Sequence, residues 1–493
     1  MNLTLALFLV PAVAGLAAFA IRSNRVLRFL LVGTAVVHSG LTAAGWVYPA
    51  APVFGGWVHL DDLGRLFLSL TSALFLAASV YAVGYLRREA PGRQTDVEEG
   101  FLFMNAPEAT FVGCLLLFLS TMTLVSASQH FGLLWIAVEA TTLASAPLIY
   151  YHRHHRSLEA TWKYLLICSV GIALALLGNF LLTVAATPLF RNESALLLGS
   201  LVKDAVLLDP RWLKAAFIFF LVGYGTKMGL APMHTWLPDA HSEAPSVVSA
   251  LLSGALLNNA LLGILRAHNV CVAAGPGMKA FSSDLLVLFG LVSMAVAAVF
   301  ILKQMDFKRM LAYSSVEHMG ILALGIGLGG SAVFGAVLHA INHSLTKAML
   351  FFAAGNILAV YRTKSIQDVR GLLRVLPATG TLWLMGFFAI TGSPPFGTFF
   401  SELMILKGAL DAGRTFVAVA YLALLALIFI GMAASFLRMA QGTAPKPIIR
   451  TGECLSAIVP PAVLVAATLV LGLYVPPPLL ALLRRLAQWL GGA

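Results

Sequence analysis

Apolar runs separated by short polar stretches set the pattern of this chain of 493 residues. They fall near 3–21, 29–48, 64–85, 109–128, 130–150, 162–186, 214–233, 245–266, 282–302, 310–329, 331–360, 376–410, 415–437 and 457–475. A helix needs about 18–25 residues to cross a hydrocarbon core about 30 Å thick, and most of these runs have that length. The pattern predicts an all-α polytopic membrane protein of about fourteen transmembrane helices. The run at 331–360 is long enough to bend or tilt, and the run at 376–410 is too long for one helix and is expected to break in its middle. The first run has the apolar character of a signal peptide. It has no basic segment ahead of it, however, and Arg22, Arg25 and Arg28 follow directly, so it reads as the first transmembrane helix. No linker or shift in composition divides the chain, and residues 1–493 are read as a single membrane domain.

Composition sharpens this picture. The chain is 59% hydrophobic and 11% charged, against roughly 45–50% and about 25% in soluble domains. Its net charge of +11 is mostly a topology signal. With the N-terminus outside, nineteen Lys and Arg lie in cytoplasmic loops and eight in outer loops, the usual excess of positive charge inside. Both termini are then expected outside, in a bacterial or archaeal plasma membrane. The basic residues form no patch or stripe of the kind that binds nucleic acid. Cys114, Cys168, Cys271 and Cys454 are scattered, which excludes iron–sulfur and structural zinc sites of the clustered-thiolate kind. No phosphate-binding glycine loop is present, so energy is expected from an ion gradient or a partner. His152, His154 and His155 stand beside arginines at a helix end and read as surface rather than a metal site, and the loop at 89–108, with Glu89, Asp96, Glu98 and Glu99, reads as solvated surface. The sequon at Asn192, Glu193 and Ser194 carries little weight.

Ionisable residues inside the runs carry the chemistry. A charge near the bilayer centre costs at least about 2.5–3.5 kcal/mol on insertion scales, so each invites a functional explanation. Glu139 and Lys227 lie mid-span; Glu317 and His318 follow one another in LAYSSVEHMG; Glu402 and Lys407 follow the expected break at SPPFG. His339, His343 and Lys347 are spaced i, i+4, i+8 and so share one helix face, where they could pass protons between side chains and water. The alternative for each group is a buried polar residue satisfied by a neighbour. Glu139 and Lys227 could neutralise one another, a poor source of stability but a good switch, because the lysine's hold on its proton then depends on the glutamate. Arg266 and Lys279, near helix ends, are expected to snorkel to water.

Two breaks frame these residues. Lys227 precedes Gly229-Leu230-Ala231-Pro232, and Glu402 follows Gly392-Ser393-Pro394-Pro395-Phe396-Gly397. Proline stops a helix and glycine lets it unwind. Five helices separate the breaks, which places them in opposite orientations and predicts two inverted five-helix repeats, 109–266 and 282–437, each with one broken helix. Residues 1–108 and 457–493 are expected to be peripheral helices.

At these residues the chain resembles the antiporter-like, proton-translocating subunits shared by respiratory complex I, Mrp-type cation/proton antiporters and membrane-bound nickel–iron hydrogenases. The resemblance runs over most of the chain and is strongest from about 108 to 410. It rests on Glu139, on Lys227 with APMHTWLPDAHSEAPS, which contains Pro232 and His241, on KRMLAYSSVEHMG, on HAINHSLTKAMLFFAAG, and on SPPFGTFFSE, which contains Pro394 and Pro395. It implies that Glu139 and Lys227 form a Glu–Lys pair in the first half. His241, Glu317, His318, His339, His343 and Lys347 would then mark the hydrophilic axis, ending at Glu402 and Lys407. The Val316-Glu317-His318 and Asn-His-Ser-Leu-Thr-Lys strings look most like F-type subunits of hydrogenase-4. One departure stands out: Asn258 and Asn259 occupy a region where many members have a lysine or histidine.

The implied role is an ion-translocating, H⁺-moving subunit with no cofactor and no catalytic or metal site of its own. It would sit beside other membrane subunits and a cytoplasmic redox arm whose chains carry iron–sulfur clusters and, in a hydrogenase, a nickel–iron centre. A non-pumping scaffold, a membrane partner in inorganic-carbon uptake, and a complex I M-type subunit are the competing readings.

Overall fold

The computed structural model describes residues 2–89, 92–95, 100, 102–187, 196–444 and 452–491. Asp96, Glu98, Glu99 and the sequon at 192–194 lie outside them. The chain runs through α1 (Leu3–Ala18), α2 (Asn24–Val47), α3 (Asp62–Arg88), a small hairpin of β1 (Arg93–Thr95) and β2 (Leu102–Met104), α4 (Glu108–Ala127), α5 (Phe131–Ile149) and α6 (His155–Ala185). There follow a short α7 (Leu198–Lys203), α8 (Pro210–Met228), α9 (Trp236–Glu243), α10 (Ser246–Leu251) and α11 (Leu257–Ala273). The remainder is α12 (Pro276–Leu302), α13 (Phe307–Leu328), α14 (Ser331–Tyr361), a short α15 (Leu372–Val375), α16 (Pro377–Ile390), α17 (Gly397–Asp411), α18 (Thr415–Ala440), α19 (Leu455–Leu473) and α20 (Pro477–Trp489).

Among the described residues, eleven helices are long and apolar enough to cross a membrane, and α1 and α16 are shorter apolar helices. The expected breaks are real. Helix α8 ends on Gly229, whose φ of +86° suits a residue without Cβ, and α9 resumes seven residues later. The run at 376–410 divides into α16 and α17 around Gly392–Phe396. The peptide bonds before Pro232 and Pro395 are cis. Between α10 and α11, residues Leu252–Leu256 make a π-helical turn that sequence periodicity did not show.

Among the described residues, the loops sort onto two faces. On one, Asn105 pairs with His152, Asp306 with Ser365, and Gly371 donates to Gln441. On the other, Val58 pairs with Ser128 and His130 with Leu197. Helix α20 lies within the region 457–493 expected to be peripheral helices, although its mix of apolar and basic residues makes no continuous apolar run of its own. It lays Leu482, Leu483 and Leu486 against the helices beneath it and leaves Arg484 and Arg485 outward, Arg485 reaching Asp62 at 2.9 Å. Asn269 donates to the Trp489 carbonyl at 2.6 Å and Lys279 to that of Gly491 at 2.8 Å. Among the described residues of 89–108, β1 and β2 pair antiparallel, and β2 is largely exposed.

The span Ser246–Ala273 is buried along its length, and the long, largely buried α14 packs against α13, α16, α17 and α19. Close approach of the helices depends on small residues at a few crossings. At Gly290 of α12 and Gly320 of α13, a Cβ on either would meet the carbonyl of the other at 2.7 Å.

Candidate ion pathway

In the first half, the break holds Lys227 at the end of α8, wholly buried. Its ammonium donates to Thr142 Oγ1 at 2.8 Å and to the Tyr164 hydroxyl at 2.5 Å, and lies 4.3 Å from the Tyr164 ring centroid. Tyr164 is linked in turn to Ser145 at 2.6 Å. Thr142 donates to Glu139 Oε2 at 3.3 Å, and Ser169 donates to Glu139 Oε1 at 2.8 Å. The expected direct Glu139–Lys227 pair is therefore replaced by a relayed one with the Thr142 hydroxyl between the charges. Glu139 is half-buried and shares its helix face with the exposed Ile136 and Leu143, at i−3 and i+4. Across the break, Trp236 Nε1 donates to the Thr226 carbonyl at 2.8 Å and Ala231 N–H to Ser293 Oγ at 2.9 Å, so the interrupted backbone is anchored.

In the second half, the shared face of α14 is borne out: His339, His343 and Lys347 are all fully buried. Lys347 donates to the Leu311 carbonyl at 2.7 Å and to Ser314 Oγ. The His318 ring centroid is 5.1 Å from that of His343, and His318 Nδ1 is 2.8 Å from His339 Nε2. His339 Nδ1 is 2.9 Å from Ser401 Oγ. Ser401 gives its only proton to the Thr398 carbonyl at 2.8 Å, so His339 Nδ1 must be the donor and its Nε2 carries the lone pair toward His318. Glu402, one residue beyond Ser401, is buried beside Gly392, whose φ is +60° and where any Cβ would overlap the Glu402 carboxylate. Glu317 is buried on α13, and its Oε2 has no protein partner among the described residues.

Between the halves, Asn258 donates to Ser344 Oγ at 2.6 Å, while its Oδ1 has no protein partner. Ser253 and Ser315 are joined at 2.8 Å. His241 stacks on Phe351 at 5.1 Å with both ring nitrogens unpartnered, and the side-chain amide of Asn342 and the Thr346 hydroxyl are likewise buried and unpartnered. Buried groups of this kind are normally satisfied by ordered water.

Two expectations are corrected. Lys407 does not join the buried row: its side chain is 59% exposed and pairs with Asp411 at 2.5 Å. Arg266 does not snorkel. It is buried to 1% exposure, with one nitrogen 3.1 Å from the Ser126 carbonyl and 3.5 Å from Asp61. The guanidinium finds these partners within the protein, so it has no need of the surface. Sequence reading missed the hydroxyl partners Thr142, Tyr164, Ser314 and Ser401. Only Thr142 and Ser145 left a signal, at i+3 and i+6 from Glu139 on one helix.

Residues 128–428 match the family model described as NADH:quinone oxidoreductase/Mrp antiporter, transmembrane, and the chain belongs to that family. Among its relatives, the chain is 40% identical over 360 residues to the hydrogenase-4 component F homolog of Methylacidiphilum infernorum, covering 72% of this chain and 73% of that one. In fold it is similar to a chain of the archaeal membrane-bound sulfane sulfur reductase, with TM-score 0.85 and 20% identity over 100% of this chain and 98% of that one. A chain of the Mrp complex from Dietzia superimposes with TM-score 0.82 and 19% identity, covering 100% and 97% respectively.

Proposed function

We propose that this chain is a proton-translocating membrane subunit of a redox-driven complex of hydrogenase or NADH:quinone type. The observation that carries the reading is the setting of Lys227. An ammonium buried in hydrocarbon surroundings is expensive, yet here two neutral hydroxyls hold it and its carboxylate stands one hydroxyl away. Such a charge is stabilised only conditionally. Movement of Glu139, or a change in what covers it, alters how firmly Lys227 keeps its proton.

Glu139 lies on an outward apolar face, and a carboxylate there fits contact with a neighbouring membrane subunit better than contact with lipid. Protons released at Lys227 would pass by water along His241, Asn258 and Ser344 to Lys347, then through His343, His318 and His339 to Glu402. Glu317 is an additional acid on this route. Asn258 cannot itself hold a proton, but its free Oδ1 and its bond to Ser344 suit a water bridge. Two inverted repeats, 109–266 and 282–437, supply the two broken helices, and the basic loops face the cytoplasm, where a partner arm carries the iron–sulfur or nickel–iron chemistry. The 40% identity to a hydrogenase-4 component F homolog favours the hydrogenase type.

The test is Lys227→Met in the assembled complex in inverted vesicles. Redox turnover with lost proton uptake is the expected result. Full proton uptake in the variant would overturn the reading in favour of a non-pumping scaffold.

A further inference from the structure

The second broken helix brings together three residues of a kind that ligate metals. One donor atom from each of His318, His339 and Glu402 lies within 4.8 Å of the other two, and all three side chains are buried. They come from α13, α14 and α17, so their meeting is a product of the tertiary fold. We propose that this cluster is a binding site for a divalent transition-metal ion of the Zn²⁺ class, and that an ion held there blocks the pathway.

The donor set selects the class of ion. Two imidazoles and one carboxylate suit zinc and its neighbours, whereas magnesium and calcium require mostly oxygen ligands. The orientation is already set on one side: Ser401 fixes His339 with Nδ1–H outward and the Nε2 lone pair facing His318. A second-shell bond of this kind commonly orients a metal-binding histidine. His318 Nδ1 and His339 Nε2 are 2.8 Å apart across a shared proton. Two Zn–N bonds of about 2.0–2.1 Å at a tetrahedral angle need about 3.3 Å, so the rings must part by about half an ångström. On binding, the His318 proton moves from Nδ1 to the other ring nitrogen or to water, and Glu402 meets the ion as a carboxylate.

The surroundings balance the remaining charge. A Zn²⁺ ion with Glu402 alone leaves one positive charge in a low-dielectric site, and Glu317 acts electrostatically on Glu402 from α13. The buried Tyr421 of α18 lies within electrostatic range of both carboxylates, and its hydroxyl has no protein partner among the described residues. The break offers access, because Gly392, against the Glu402 carboxylate, is partly exposed and Pro394 and Pro395 two and three residues on are exposed. The site stands on geometry alone; its effect on proton movement rests on the function proposed above, since a metal takes the lone pairs that a relay would use.

The experiment is a Zn²⁺ titration of the purified full chain in detergent by competition with a chromophoric chelator, repeated with Co²⁺ for its visible absorption. One tight ion per chain is expected, lost in His339→Gln and in Glu402→Gln and retained in a His154→Ala/His155→Ala control. Ser401→Ala should weaken binding about 10–100-fold through lost orientation, which separates a specific site from misfolding. Unchanged binding in both ligand variants, or none in the wild type, would overturn the site. A bound ion that leaves proton uptake by the wild-type complex unaffected would overturn the block. Metal-free uptake tests the proposed function separately.

Discussion

The two broken helices solve the same physical problem with different chemistry. At the first, a lysine ends the helix and is held by Thr142 and Tyr164, with its carboxylate displaced toward a lateral face. At the second, a glutamate in the second turn of α17 is buried near the imidazoles of His318 and His339, with Gly392 against its carboxylate. Hydroxyls can rotate and serve either protonation state of a lysine, so the first site is built to respond. Imidazoles accept and donate at two fixed points and can pass a proton on without moving far, which suits the second to the conducting role proposed for it. Under the proposed function, a half-buried carboxylate with a buried base suits sensing, while a buried carboxylate among bases suits the end of a relay.

This contrast can be broken at four points. The largest effect is expected from Lys347→Met, which removes a proton carrier held by Leu311 and Ser314; loss of a positioned acid–base group lowers rates by about 10²–10⁴-fold, read as proton uptake per redox turnover. Next comes Tyr164→Phe. It deprives the buried Lys227 of one of its two acceptors and should destabilise the protein by about 1–3 kcal/mol, seen as a lower melting temperature in detergent, whereas Ser401→Ala at the second break should shift it less. Third, Thr142→Val and Glu139→Gln should couple. A double-mutant cycle on uptake rates with an interaction of about 0.5–3 kcal/mol supports the hydroxyl link, and simple additivity would remove Thr142 from it.

The smallest effect is a pH dependence away from both breaks. Burial pushes Glu243 up, but Lys364 beside it at 2.8 Å, together with Arg156 and Lys308, outweighs that and holds it at about 2. A carboxyl depressed in the folded state stabilises fully above its ordinary value of 4.5 and loses that contribution as pH falls toward 2. Thermal melts of Glu243→Gln should lie below the wild type at pH 7 and converge with it toward pH 2.5. Parallel curves would show that Lys364 does not depend on this carboxylate.

The strongest sequence signals were those with a period or a penalty. Hydrophobic run length placed the helices, and proline beside glycine placed both breaks, because each imposes a local cost that residues elsewhere cannot hide. The i, i+4, i+8 spacing placed His339, His343 and Lys347 on one buried face for the same reason. What the chain did not reveal is partnership over distance. Tyr164 is 63 residues from Lys227 in sequence and Ser401 is 62 from His339, and a tyrosine or serine in an apolar helix has no pattern that names its partner. Arg266 failed differently: a helix-end position suggested water, but the guanidinium is buried against the Ser126 carbonyl, with the partly exposed Asp61 at 3.5 Å. The bounds of α20, inside the region expected to be peripheral helices, were not legible because amphipathic periodicity is invisible to a search for continuous apolar runs.

The π-helical turn at Leu252–Leu256 bears on how relatives of this chain are compared. A π turn holds one residue more than an α turn, as if a single position had been inserted. Because the wider turn absorbs the extra residue, removing it would restore regular winding and leave the helix beyond facing the same neighbours, with every later position one lower in number. Asn258, which meets Ser344, and Asn259, which accepts from Ser126 at 3.2 Å, face different neighbours. In a relative lacking the extra residue, the positions that meet these two neighbours would each be one lower in sequence number. Gap-free alignment through this helix would then match residues that occupy different sides of it, and equivalence has to be judged by neighbours in space.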